Sequence, residues 1–248
     1  MRAIITDLDR TLLHTDKSIS SFTKEILNRC KQKGILVMAA TARPYRDMKK
    51  RIVDIDFDSM AVSNGARVVC NTAQTECSIS RQSAEKILEA LKYRSDLRIT
   101  LETGDAAYSN VSFDNYESIV CRDLVSVAKT EKILKIIVGI DTESTVEFVK
   151  SEVPNDLYYT VANGQLMQIM NKCATKWNGV KQMLSHFDLS PREAAYFGDD
   201  NDDIESIKNC GLGVAVSNAI PAVLEIADCV ADSNDMDGVA KFIAENIL

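Results

Sequence analysis

Ala3-Ile-Ile-Thr-Asp-Leu-Asp-Arg-Thr-Leu-Leu13 opens the chain with a short apolar run that breaks off in two acids. Four apolar or small residues bounded by polar ones read as a buried strand, Ala3 to Thr6. Downstream, Ser20 or Ser21 offers an N-cap, and Phe22, Ile26, Leu27 and Cys30 recur at helical spacing until Gly34 stops the helix. Ile35 to Ala40 is a second apolar run, ending at Thr41 and Arg43. A helix follows Pro44 with Met48, Ile52 and Val53 on one side, and Ser59 to Ser63 is a third run closing at Asn64-Gly65. Strand, helix, strand, helix, strand at this spacing means right-handed crossovers and a parallel sheet.

The end of the chain has the same pattern. A helix is expected over Lys176 to Phe187 and a strand over Ala194 to Phe197, ending at Gly198-Asp199. A helix over Asp202 to Asn209, a strand at Gly213 to Val216, a helix opened by Pro221, a short strand at Cys229-Val230 and a terminal helix over Val239 to Ile247 complete it. The middle differs. Residues 98–103 alternate as a half-exposed antiparallel strand does. Strands are also expected at 132–140, 157–161 and 166–170, with helices at 83–93 and 142–153. The expected fold is α/β: a Rossmann-like parallel-sheet core built from residues 1–80 and 171–248, interrupted by an inserted α+β domain at 81–170.

With 248 residues, 46% hydrophobic and 26% charged, the chain can build a full core, which excludes a disordered or collagen-like protein. No apolar run is long enough for a membrane span, and the N-terminus has no signal-peptide pattern. Twenty-nine basic against 36 acidic residues give a net charge of −7 with no basic stripe, which speaks against nucleic acid or an anionic membrane as partner. Seven scattered cysteines without a C-x-x-C pair lead us to expect a reduced, cytoplasmic protein with buried thiols.

Ligands of an open parallel sheet bind beyond the carboxyl ends of its strands. There the sequence places Asp7, Asp9 and Thr11, then Thr41 and Arg43, then Ser63 and Asn64, and finally Asp199, Asp200, Asp202 and Asp203. So many carboxylates at one edge repel one another unless a cation holds them. All-oxygen ligands without a His/Cys cluster favour magnesium over zinc. Acids at a helix N-terminus are common without a ligand, and so is an Asp turn, so neither the 199–203 run nor the Asp7/Asp9 pair decides alone. In an extended chain Asp7 and Asp9 fall on one side, where one carboxylate can attack phosphorus and the other hand a proton to the departing oxygen. Other residues carry less. His14 and His186 are too few for a metal site, and Trp177 reads as packing. Arg43 and Arg46 suit either an anion or a solvated helix position, and Cys173 reads as a buried thiol.

Taken together, these stretches resemble the haloacid-dehalogenase-like (HAD) superfamily, and within it the Cof-type phosphatases. Asp7-Leu-Asp-Arg-Thr-Leu-Leu13 resembles the nucleophile motif D-x-D-x-T, and Thr41-Ala-Arg-Pro44 the second motif. Lys176 resembles the third-motif lysine and Gly198-Asp-Asp-Asn-Asp-Asp203 the metal-binding motif. Ser63-Asn-Gly-Ala66, Gly213-Val-Ala-Val-Ser-Asn-Ala219, Ala227-Asp228 and Asp237-Gly-Val239 fit the Cof type, and the insert stands where that family carries an α/β cap.

The resemblance implies a phosphoric monoester hydrolase. Asp7 would be nucleophile and magnesium ligand; Asp9 general acid and base, its backbone carbonyl on the metal; Thr41 a holder of a phosphoryl oxygen. Lys176 would stabilise the transferring group, and Asp199 would be a further magnesium ligand. Asp203 would orient Lys176 or the metal's waters from behind. Arg43, Asn64 and Asp202 join Thr41 and Lys176 as expected substrate contacts. Two positions depart from the pattern: Arg10 replaces a usual glycine and Asp202 a usual asparagine. Implied are Mg2+, a small phosphorylated metabolite such as a sugar phosphate as partner, and a monomer or homodimer. A phosphosugar mutase and a non-catalytic phosphosugar-binding module remain the alternatives.

Overall fold

The structure, a computed structural model, describes every residue of the chain except 53, 54, 115 and 163. The first segment runs β1 (Ala3–Thr6), α1 (Ser21–Gln32), β2 (Leu36–Ala40), α2 (Tyr45–Arg51), β3 (Ser59–Val62), β4 (Arg67–Cys70) and β5 (Ala73–Glu76). Next come α3 (Arg81–Leu91), β6 (Ile99–Glu102), β7 (Ala107–Ser109), β8 (Ile119–Val120), α4 (Leu124–Thr130), β9 (Lys135–Gly139), α5 (Glu143–Glu152), β10 (Leu157–Ala162) and β11 (Leu166–Asn171). The chain ends with α6 (Lys176–His186), β12 (Ala194–Gly198), α7 (Ile204–Asn209), β13 (Leu212–Val216), α8 (Pro221–Leu224), β14 (Cys229–Ala231) and α9 (Gly238–Asn246). Val53, read onto the face of Met48 and Ile52, lies outside the described residues.

Contacts divide the chain into two units. One comprises Met1–Arg43, Met48–Thr75 and Thr175–Leu248; the other Pro44–Asp47 and Glu76–Ala174.

Among the described residues the first unit carries an eight-stranded sheet in the order β14-β13-β12-β1-β2-β3-β4-β5. β14 through β3 in that order pair parallel, as the α/β reading expects. Strands that accept helices on both faces are apolar throughout, and Ile4, Ile5, Val37, Met38, Phe197 and Val214 are fully buried. β1 lies at the centre: the chain moves to one side for β2 and β3 and returns on the other for β12, β13 and β14. That reversal beside β1 opens the crevice in which such sheets bind ligands. The sequence did not announce β4 and β5. β3 turns back antiparallel into β4, with Ser59 opposite Cys70. The turn uses three successive residues of positive φ, Ser63 (50°), Asn64 (58°) and Gly65 (83°).

The second unit has a six-stranded sheet, β10-β11-β9-β6-β7-β8, whose core gathers Ile87, Leu91, Leu101, Ile136, Val138 and Met167. Here β6 departs from expectation: all four of its residues are buried, not half-exposed. Ile99 and Leu101 face the apolar core, while the other face is filled by charge. Glu102 pairs in register with Lys135, both 2% exposed, and Tyr116 donates to Glu102 Oε1 at 2.5 Å. Arg46, in the same unit, bonds Tyr116 and the Ala106 carbonyl and is not a solvated helix position.

The cysteines require a second correction. Cys77 and Cys173 form a disulfide with Cα atoms 6.4 Å apart, and Cys173 is exposed rather than a buried thiol. Sequence separation of 96 residues hid the pair, whose members stand next to the two ends of the segment Glu76–Ala174. Cys30, Cys70 and Cys210 are buried free thiols, as expected. Among the described residues, no helix is long and apolar enough to cross a membrane.

Candidate active site

Backbone bonds at the carboxyl edge of the first unit's sheet fix the candidate residues. Asp7 N donates to the Phe197 carbonyl at 2.9 Å as the chain leaves β1. The chain then turns instead of staying extended: Thr11 N and Leu13 N both return to the Leu8 carbonyl. Asp7 and Asp9 therefore meet different partners. Thr41 N donates to the Ala61 carbonyl at 2.8 Å and Asn64 N to the Thr41 carbonyl at 3.0 Å, which locks the ends of β2 and β3 together.

Lys176 opens α6 directly after its cap, Thr175, whose side chain accepts from Asn178 N. A Cβ on Gly65 would stand 2.2 Å from the Thr175 carbonyl oxygen, so only glycine lets this helix start against the turn after β3. From there Lys176 Nζ reaches Asp7 Oδ1 at 2.8 Å and Asp203 Oδ1 at 2.7 Å. Asp203 is fully buried. Its Oδ1 also accepts from Tyr196 Oη at 2.6 Å, and its Oδ2 takes the backbone N–H groups of Asp199 and Asp200 at 3.0 and 3.1 Å. Gly198 permits this fold-back, since a Cβ there would lie 2.5 Å from Asp203 Cβ. Thr11 Oγ1 donates to Asp199 Oδ1 at 2.6 Å.

Asp7, Asp199 and Asp203 each offer an oxygen within 4.8 Å of the others, all three buried, with Lys176 as the cation among them. Three carboxylates and one ammonium leave the cluster negative, and the pKa values register it. Burial lifts the Asp7 carboxyl well above its ordinary range; Lys176 pulls it back, while Asp203 and Asp199 push it further up. Burial likewise raises Asp199 to about 6 against the hydrogen bond from Thr11. Burial disfavours the Lys176 ammonium, yet Asp203 and Asp7 outweigh it and raise its pKa. Asp203 spends its lone pairs on four donors, whereas Asp7 Oδ2 and Asp199 Oδ2 accept no hydrogen bond among the described residues. Hard oxygen donors with surplus negative charge and two open oxygens fit a divalent cation such as magnesium.

Asp9 belongs to a second group. Arg43 holds it with Nε at 2.6 Å and Nη2 at 2.7 Å, and Lys17 Nζ stands 2.7 Å from Oδ1. Burial raises its pKa, but the bonds from Arg43 and Lys17 together prevail and hold it at about 2. Asn64 Nδ2 donates to Asp202 Oδ2 at 2.5 Å, a third pair that fixes the turn after β3 to the 199–203 loop. Thr41 is 1% exposed, and its Oγ1 accepts from Arg43 N at 3.2 Å. Arg43 is thus a partner of Asp9 and not a solvated helix residue.

The sequence profile of the haloacid dehalogenase-like hydrolases matches residues 4–243. This chain belongs to that family. Among its relatives, the 5-amino-6-(5-phospho-D-ribitylamino)uracil phosphatase YitU of Bacillus subtilis is 28% identical, the alignment covering 98% of this chain and 96% of that one. The phosphoglycolate phosphatase of Methanopyrus kandleri is 24% identical over 97% of this chain and 94% of its own. A haloacid dehalogenase-like hydrolase from Bacteroides thetaiotaomicron superposes with a TM-score of 0.88 at 22% identity, covering 98% of both chains. A sugar phosphatase of HAD subclass IIB superposes with a TM-score of 0.82 at 21% identity, again covering 98% of both. These likenesses show the fold, a HAD core with a cap domain.

In this HAD hydrolase, Arg10 takes the left-handed conformation (φ 63°) that a glycine would adopt freely. Its side chain is exposed, its carbonyl accepts from Asn218 Nδ2 at 2.8 Å, and Asn234 joins the same loop by donating to the Leu13 carbonyl. Tyr196 and Lys17 are neighbours of the site that the sequence reading passed over. A tyrosine inside an otherwise apolar strand was the available signal for Tyr196, because a buried hydroxyl needs a partner. Nothing marked Lys17, which reaches Asp9 only because the loop turns. Trp177 is half-buried with Lys181 over its ring, and His14 pairs with Asp237 at 2.9 Å.

Proposed function

We propose that this hydrolase is a magnesium-dependent phosphatase that cleaves small phosphorylated metabolites, sugar phosphates foremost, through a phosphoryl group carried on Asp7. The observation that carries this reading is the sorting of the carboxylates into two sets. Asp7 and Asp199 keep open oxygens beside a buried ammonium, and Asp9 stands apart between two cations. In this reading an Asp7 oxygen attacks phosphorus while the bond to the leaving oxygen breaks, and Asp9 delivers the proton that the leaving group needs. A water molecule then attacks the aspartyl-phosphate with Asp9 as base, returning Asp7 and releasing phosphate. Lys176 pulls the Asp7 pKa down against burial and faces the charge that develops on the phosphoryl oxygens. Asp203 aims Lys176 through a 2.7 Å bond and is itself fixed by Tyr196 and two backbone N–H groups. Thr41 supplies a hydroxyl to a phosphoryl oxygen. Asp7, Asp199 and the Asp9 carbonyl would hold magnesium, which when bound supplies positive charge to the transferring group.

For Asp9 to carry a proton it must leave Arg43 and Lys17, and an incoming phosphate is the anion that can take both cations. Support for the substrate class comes from relatives that act on small phosphorylated compounds and from the likeness to a subclass IIB sugar phosphatase. The test is phosphate release from a panel of sugar phosphates and p-nitrophenyl phosphate, with magnesium or with EDTA, for wild type and Asp7→Asn. Magnesium-dependent release lost in the variant is expected. Phosphoryl transfer between sugars without free phosphate would replace the phosphatase by a mutase.

A further inference from the structure

The second unit's long segment begins at Glu76 and ends at Ala174, and its disulfide lies one residue inside each end, at Cys77 and Cys173. One bond therefore ties the two crossings that bound this long segment. A hydrogen bond joins the same stretches: Asn171 Nδ2 donates to the Ser78 carbonyl at 3.0 Å, while Asn171 Oδ1 accepts from Cys173 N at 3.0 Å. With the sulfur bond broken, that contact keeps the thiols neighbours, so closure is a reaction between groups already in place. Cys173 is exposed and Cys77 half-buried, which lets a small thiol reach the bond. Of the five remaining cysteines, Cys121 and Cys229 are half-buried free thiols, and the other three compete poorly. Cys30, Cys70 and Cys210 are buried, and burial raises their thiol pKa values, to about 12 for Cys210, so they stay protonated and unreactive.

We propose that Cys77 and Cys173 form a reversible thiol–disulfide site, set by the surrounding pool of low-molecular-weight thiol and disulfide, that ties and unties the two crossings of the second unit's long segment. In the reducing direction a small thiolate attacks Cys173 Sγ, the bond between the protein sulfurs breaks, and Cys77 leaves as a thiolate that takes a proton from water. A second small thiolate attacks the mixed disulfide and releases Cys173. The protein gains two electrons and two protons, and two small thiols become one small disulfide. Oxidation runs the same steps backwards. The consequence for turnover rests on the phosphatase reading: tied crossings restrict how the insert moves, and such motions set kcat in many enzymes.

The test equilibrates the full-length protein in glutathione buffers from fully reducing to fully oxidising, traps free thiols with N-ethylmaleimide and reads each cysteine by peptide mass. Hydrogen exchange of the crossings and phosphate release are followed on the same samples. Cys77 and Cys173 are expected to titrate together and reversibly, with Cys30, Cys70 and Cys210 unlabelled. Oxidation should slow exchange at both crossings and lower kcat several-fold at similar KM, and the Cys77→Ser and Cys173→Ser variants should lose both responses. A bond that persists in the most reducing buffer, or never forms in the most oxidising one, overturns the proposal. So does reversible oxidation that leaves exchange and kcat unchanged. Absence of phosphate release in every redox state would instead remove the phosphatase reading, with thiol titration and exchange still reporting on the tether.

Discussion

Arg43 grips Asp9 with two nitrogens, Nε 2.6 Å from Oδ2 and Nη2 2.7 Å from Oδ1, in the forked geometry that makes arginine–carboxylate pairs strong. Together with Lys17 it holds the Asp9 pKa at about 2, below its ordinary 3.8. A carboxylate with a lowered folded pKa stabilises the protein above its unfolded value and loses that contribution as the pH falls through the folded one. Arg43→Ala should therefore be less stable than wild type near neutrality, by about 0.5–1 kcal/mol because the pair is partly exposed to solvent. The gap should shrink as the pH falls from 4 towards 2. Urea unfolding of both proteins across that range measures it, and a gap independent of pH would mean that Arg43 acts through packing alone.

The opposite sign applies to Asp199. Its pKa is raised from 3.8 to about 6, chiefly by burial, so in the metal-free protein the folded state binds the extra proton. The Asp199 contribution to stability then falls as the pH rises from about 4 to about 6, a loss of up to about 3 kcal/mol for a shift of this size. Asp199→Asn should make that slope shallower in EDTA, leaving the part that comes from Asp7, which burial also raises. Added magnesium should raise the melting temperature of wild type strongly at pH 7.5 and little at pH 5, where the proton competes. An equal rise at both pH values would remove Asp199 from the cation site.

Much of this was legible before the structure. Apolar runs ending in acids give the parallel strands, because a sheet covered on both faces needs continuous apolar sequence and its carboxyl edge collects the polar residues. The reading stopped where tertiary context decides. The antiparallel return through β4 depends on three consecutive left-handed residues at 63–65, which the Asn64-Gly65 pair only hinted at. β6 alternates like a half-exposed strand, yet its polar face is buried because Tyr116 donates to Glu102 and Arg46 stands 3.7 Å from it, partners distant in sequence. In the site, strand-end placement marks Asp7, Asp199 and Asp203, and Lys176 stands out only through the family resemblance, but the grip of Arg43 and Lys17 on Asp9 follows from the turn at Leu8, which no periodicity encodes. The Cys77–Cys173 bond was invisible for the same reason: pairing across 96 residues is a property of the fold.

Gly65 ties the turn after β3 to the start of α6. With φ at +83° and the Thr175 oxygen 2.2 Å from any Cβ, Gly65→Ala must shift the backbone that presents Lys176. We expect a destabilisation of about 1–3 kcal/mol. Turnover should fall by at least about tenfold, since small misplacements of a catalytic group are costly. Gly164→Ala is the control: it shares the positive φ but has nothing within 4 Å, and it should leave turnover unchanged. Equal kcat in the two variants would show that the close approach does not position Lys176.

Lys176 is 5% exposed between Asp7 and Asp203, so removing its charge leaves two buried carboxylates facing each other. Breaking a buried ion pair from one side costs more than the pair contributes, about 3–5 kcal/mol. Lys176→Met should show that loss in EDTA at pH 7.5, and part of it should return at pH 5 as the orphaned carboxyls take up protons. Adding Asp203→Asn to Lys176→Met removes one of the repelling charges and should recover stability without recovering phosphate release. That split separates the two duties of the lysine. A double variant no more stable than Lys176→Met would show that Asp203 and Lys176 are not coupled. One that regained turnover would show that Asp7 does not need the ammonium.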